Sequence, residues 1–181
     1  MSPIQTNRIL AVEIRTARLG YAVLETSEYL QDFGAAWFNS PMAARSRMAR
    51  LLRFYRPSVL VLRGGSARYP RNMRKRRVVA RVARDEARKL DVPNARVSEL
   101  EFSSFFKQYS CRDKYDTGAV LVGCFPELAW RLPSRPKFYD PEPRSMLYFD
   151  SIGLGIAYLE FSSKELRKHI GGDEIFSPAS K

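Results

Sequence analysis

Three carboxylates stand where an acid needs a reason to be. Glu13 closes the apolar run of RILAVEIRTARLGYAVLE, Asp150 interrupts the apolar stretch MLYFDSIGLGIAYLEF, and Glu142 lies in the proline-rich SRPKFYDPEPR. A carboxylate leaving a hydrophobic strand either holds a hard cation for chemistry or is an ordinary strand-end charge, and residue type alone leaves both open. Asp150 is harder to dismiss: Phe149, Ile152, Leu154 and Ile156 surround it with apolar helix, where an unpartnered carboxylate is costly. Glu142 reads equally well as a surface acid, and no spacing favours Asp116 or Asp140 as further ligands. The single histidine, His169, has no neighbouring acid or nucleophile and reads as a surface residue.

The opposite charge is concentrated in GGSARYPRNMRKRRVVARVARDEARK. From Arg63 to Lys89 the chain carries eleven Arg or Lys and two acids, Asp85 and Glu86. Arginine suits phosphate because its planar fork donates two parallel hydrogen bonds. Arg68, Arg71, Arg74, Lys75, Arg76 and Arg77, placed in a loop ahead of a helix, are the residues expected to contact a nucleic-acid backbone, together with Arg63. Arg81, Arg84, Arg88 and Lys89 read instead as the solvated face of that helix. No zinc-finger or helix-turn-helix spacing accompanies them, so no device for reading bases is indicated.

Composition agrees with a polyanionic partner. The 181 residues carry 31 Lys and Arg against 19 acids, a net charge of +12, and are 45% hydrophobic, enough for one domain with a real core. There is no apolar run of membrane-spanning length and no secretion-type h-region at the start, which predicts a cytoplasmic protein with no membrane association. Two cysteines, Cys111 and Cys124, support neither a disulfide framework nor a zinc site and are expected to be small buried hydrophobes.

The elements that must position these groups follow from periodicity. Residues 8–14 and 19–25 read as an antiparallel hairpin around RTAR, and 29–38 as a third strand. Ser40-Pro41 opens a helix with Met48, Leu51, Leu52 and Tyr55 inward. PSVLVLR is the continuous apolar run of a central strand, ending at Arg63. A helix over 71–90 with Val78, Val79, Val82, Ala83, Ala87 and Leu90 inward follows, then a strand near 94–98, a helix near 99–109 capped by Ser98, and a helix over 115–124. The last is an apolar helix over 145–161. The expectation is one α/β domain over 1–162 with a mixed five-stranded sheet flanked by helices, and a polar extension over 163–181.

Three of these segments resemble a known family. AVEIRTARLGYAVLE keeps an acid followed seven residues later by Gly-aromatic, YRPSVLVLRGG is similar to a central strand preceded by proline, and FPELAWRLPSRPKFYDPEPRSMLYFDSIGLGIAYL is similar to a C-terminal acid-bearing helix. Together they resemble the RuvC-type Holliday-junction resolvases of the ribonuclease H-like superfamily, across most of residues 8–160. The resemblance implies a three-layer ribonuclease H-like fold, binding of nucleic acid, DNA above all, a possible homodimer, and phosphodiester hydrolysis with Mg²⁺ or Mn²⁺. It carries the first acid onto Glu13 and the helix acid onto Asp150 as metal ligands, with Glu142 as a further catalytic candidate. At the second acid position, where the family pattern has Glu, this chain has Arg63. A cation there deletes a ligand and repels the metal; it pairs with Glu13 or Asp150, or takes a phosphate. The alternatives are a non-catalytic adaptor in a nucleic-acid-handling assembly and, at lower weight, an ATPase sharing the opening hairpin.

Overall fold

A computed structural model describes residues 7–64, 70–135, 137 and 141–170, with the side chains of 70–72 and 164–170 left aside. Five strands form one sheet in the order β3-β2-β1-β4-β5: β1 Ile9–Ile14, β2 Arg18–Thr26, β3 Tyr29–Trp37, β4 Val59–Arg63 and β5 Asn94–Val97. The first three make an antiparallel meander, and β4 and β5 add on in parallel beside β1. This is the mixed five-stranded α/β sheet the patterning predicts.

Strand β1 is buried along its whole length, so its alternating side chains feed two separate cores. Leu10, Val12 and Ile14 join Met48, Leu52, Leu60, Val79 and Ala83 beneath helices α1 (Pro41–Tyr55) and α2 (Pro70–Lys89). Ile9 and Ala11 join Val61, Phe102, Phe106, Phe149 and Ile152 beneath α3 (Glu99–Lys107) and α5 (Met146–Ile170). Helix α4 (Lys114–Cys124) and the 3-10 helix Pro126–Arg131 pack beside α5 and add Leu121 and Leu128 to that second core. Glu13 continues the Ile9–Ala11 side, and so faces α5.

Local chemistry explains the boundaries. The Ser40 side chain accepts from the Ala43 amide at the start of α1, with Pro41 in the first turn, and Arg56 closes that helix in the left-handed region. Ser98 and Glu101 form a reciprocal capping box on α3. Helix α5 approaches β2 so closely that a Cβ on Gly20 would lie 2.6 Å from the Leu147 carbonyl oxygen, and one on Gly155 would lie 2.5 Å from Leu24. Only hydrogen in place of a side chain permits that contact.

Several expectations shift. Helix α2 begins at Pro70, so Arg71, Arg74, Lys75, Arg76 and Arg77 belong to its first two turns and not to a loop. Its buried face runs through Val79, Val82, Ala83, Glu86 and Ala87; Val78 is exposed because the helical phase turns it outward, and Leu90 is exposed in the turn just past the helix end at Lys89. Cys111 is half-buried and Cys124 exposed, so neither is the core hydrophobe its composition suggests. Helix α5 continues to Ile170, beyond the end expected near 161, since SSKELRKH is polar but contains no helix breaker.

Candidate functional site

The C-terminal ends of β1 and β4 lie side by side, which brings Glu13 next to Arg63, 50 positions apart in the sequence. Helix α5 delivers Asp150 to the same place. Leu147 sits over Gly20, the cross-strand partner of Glu13, and Asp150 follows one turn later. Glu13 and Asp150 are both buried, Glu13 to 3% exposure. The two acids that the sequence singles out are thus brought together, with Glu142 beside them just ahead of α5.

The space among these acids is filled by cations of the protein itself. Arg15 hydrogen-bonds Asp150, lies 3.5 Å from Glu142 and has its Nε 3.9 Å from Glu13. Arg76 reaches in from α2, its Nη2 2.9 Å from Glu13 Oε1 and its Nε donating to the Ile14 carbonyl at 2.6 Å. Arg63 lies 3.9 Å from the other Glu13 oxygen, forks onto Glu99 through Nε and Nη2 at 3.1 Å each, and stacks over the Phe102 ring at 3.6 Å. Lys114, at the start of α4, pairs with Glu142. Four carboxylates therefore meet four cations drawn from six elements, the β1–β2 turn and the segment before α5.

Of the remaining candidates, Arg74, Lys75 and Arg77 are exposed on the first turns of α2. Arg68 and Asp140 lie outside the described residues, as do the side chains of Arg71 and His169. Arg76, grouped by sequence with the phosphate binders, is paired with Glu13. Arg15, Glu99 and Lys114 were not legible as site residues. The available signal was indirect: a buried Glu13 and Asp150 demand nearby cations, and Arg15 is two residues along the same strand direction.

Burial, the largest influence on both, pushes the Glu13 and Asp150 carboxyls above the usual carboxylate range, against the pull of the arginines. For Glu13 the opposing pull comes first from Arg63, and for Asp150 from Arg15. Oxygen Oε2 of Glu13 has no hydrogen-bond partner among the described residues. A lone buried oxygen of this kind is where a cation would be welcome.

A divalent metal nevertheless does not fit. Among the described residues no three His, Cys, Asp or Glu are grouped to hold one. Mg²⁺ and Mn²⁺ want several converging oxygens, and here Arg63 and Arg15 lie where further ligands would have to come. Each guanidinium ~4 Å from a divalent ion costs about 8 kcal/mol of repulsion at an effective dielectric of ~20. Glu13 and Asp150, the acids expected from the sequence as metal ligands, are ion-paired with arginine in this structure.

The network lines a cleft of about 580 Å³ at the sheet edge, bordered also by Phe102, Phe106, Lys107, Arg112 and Tyr115. That edge, outside the carboxyl ends of the parallel strands, is where α/β sheets bind ligands.

A meander of three strands, two parallel strands beside β1, and an acid-bearing helix crossing the sheet define the RuvC-like, ribonuclease H-like fold. Two structures of RuvC from Thermus thermophilus share it. One aligns with a TM-score of 0.67 and 10% identity over 87% of this chain and 96% of that one. The other, in complex with a Holliday junction substrate, gives 0.65 and 11% over 87% and 95%. The yeast mitochondrial Holliday junction resolvase Ydc2 gives 0.61 and 11% over 93% of this chain and 87% of that one. No family model matches the chain, and no curated protein matches it in sequence. No helix among the described residues is long and apolar enough to cross a membrane.

Proposed function

We propose that this protein binds nucleic acid, DNA above all, on a RuvC-like scaffold and does not cleave it. The observation that carries the reading is the set of guanidinium groups of Arg15, Arg63 and Arg76 packed among Glu13, Asp150 and Glu142. A hydrolytic centre of the type the resemblance implies needs metal-bound water, and this centre has spent its carboxylates on fixed cations.

Binding is supported by charge and by the company the fold keeps. The net charge of +12 is far more than the site consumes, since its four acids and four cations cancel. Arg74, Lys75 and Arg77 remain exposed at the start of α2, beside the cleft that Arg76 enters from the same helix. No acid occupies the first turn of that helix, so its positive end adds to theirs. Such contacts tolerate any sequence and weaken steeply with salt. A solved RuvC complex with a Holliday junction makes branched DNA the first substrate to try.

The test is binding of a labelled four-way junction and of plain duplex by fluorescence anisotropy across a NaCl series, with parallel incubations in Mg²⁺ and Mn²⁺. Salt-sensitive binding without cleavage is the expected result. Cleavage lost in Glu13→Ala and Asp150→Ala would overturn the non-catalytic reading. Absence of salt-dependent binding to either DNA would favour a protein-docking adaptor.

A further inference from the structure

A second constellation on the same sheet edge stands outside the neutralised network. Glu13, Gly20 and Ala35 lie in line across β1, β2 and β3, and Trp37 is two residues beyond Ala35 at the end of β3. Strand spacing puts its backbone ~12 Å from that of Glu13. The indole is 54% exposed. Arg18, its cross-strand partner on β2, has its guanidinium 5.5 Å from the ring centroid, and Arg144, two residues after Glu142, has its guanidinium 5.1 Å away.

Three properties separate this place from ordinary surface. Neither Arg18 nor Arg144 has a carboxylate within ion-pair range among the described residues, whereas Arg15, Arg63 and Arg76 all do. Both stand farther off than Arg63 from Phe102, at 3.6 Å, so neither guanidinium seals the ring. An indole left half in water beside two uncompensated cations forgoes burial that a purely structural tryptophan would gain. Aromatic faces with adjacent arginines are the chemistry that holds unpaired bases: the ring takes the base and the guanidiniums take the phosphates on either side.

We propose that Trp37, flanked by Arg18 and Arg144, is a stacking platform for an unpaired nucleobase. This rests on the reading that the protein binds nucleic acid, and names which part of the nucleic acid the sheet edge selects. Bases inside an intact duplex are already stacked on one another and do not reach the ring. Strands with gaps, overhangs or splayed branch points do.

The chain has two tryptophans, Trp37 and Trp130, so Trp130→Phe leaves Trp37 as the only indole. The experiment follows emission from that variant on addition of a single-stranded oligothymidylate or of blunt duplex, with binding of both monitored by anisotropy. Quenching by the bound single strand but not by the bound duplex is expected. In the otherwise native protein, Trp37→Ala should weaken single-strand binding about tenfold, the size of one lost base–aromatic stack, leave duplex binding unchanged, and be rescued by Trp37→Phe. Unquenched emission with the single strand bound, or equal weakening on both DNAs, would overturn the platform while leaving nucleic-acid binding in place. Failure of the native chain to bind either DNA would remove the platform together with the reading beneath it.

Discussion

Arg76 sits 63 residues from Glu13 in the chain and 2.9 Å from it in space, with a second hydrogen bond to the Ile14 carbonyl that fixes the angle of its guanidinium. The pair ties the first helix turns after β4 to the end of β1. It also gives the most buried carboxylate of the site its closest cation, so the two residues depend on each other.

Removing one partner should therefore cost more than removing both. Arg76→Gln is expected to destabilise the fold by about 2 kcal/mol, less than for a fully enclosed pair because Arg63 and Arg15 remain near Glu13. Adding Glu13→Gln should return part of that loss. Urea unfolding of the two single variants and the double variant gives the coupling, and effects that add to within about 0.5 kcal/mol would show that the pair is not coupled.

The raised carboxyls make a pH signature with a definite sign. A carboxyl held above its ordinary value of 4.5 for Glu13, or 3.8 for Asp150, keeps its proton more firmly in the folded state than in the unfolded one. Stability from these groups is thus fully present below those ordinary values and lost as pH rises through the folded ones. Glu13→Gln should flatten that decline. Unfolding free energies of both proteins from pH 4 upward supply the check, and a difference that grows in favour of the native chain with rising pH would contradict it.

Metal dependence should be absent and restorable. Neither Mg²⁺ nor Mn²⁺ is expected to raise the melting temperature of the native protein, because a ligand stabilises only the state it binds. Arg63→Glu removes one guanidinium and adds a carboxylate beside Glu13. Differential scanning fluorimetry with Mn²⁺, supported by electron paramagnetic resonance of the bound ion, should then show a gain. Equal responses in the two proteins would deny Arg63 its part in excluding metal.

Two glycines should respond in opposite directions to one added methyl. Gly20→Ala forces α5 away from β2 at the Leu147 carbonyl and is expected to cost about 2 kcal/mol, with Asp150 carried off Arg15. Gly123 lies in α4 with nothing within 4 Å of an added Cβ, so Gly123→Ala should stabilise by about 0.5 kcal/mol. Thermal unfolding of both variants decides the signs.

Much of the fold is legible in the chain because local rules and the global pattern agree. Ser40 and Ser98 mark helix starts by capping chemistry, and VLVLR declares a strand buried on both faces. The acids of the site were visible as Glu13 and Asp150 because each breaks an apolar run. Their cations were not. Eleven basic residues between Arg63 and Lys89 look alike in composition, yet Arg76 turns inward while Arg74, Lys75 and Arg77 stay in solvent, a choice fixed by the phase of α2 against β1. Trp37 escaped for a similar reason: an aromatic at a strand end reads as core until the sheet order makes β3 an edge.

A guanidinium tethered by its own backbone has a property no dissolved ion shares. It cannot be diluted away, chelated or exchanged for another species. The cations at the end of this sheet, Arg15, Arg63 and Arg76, are accordingly supplied by the chain itself and are in place from the moment it folds.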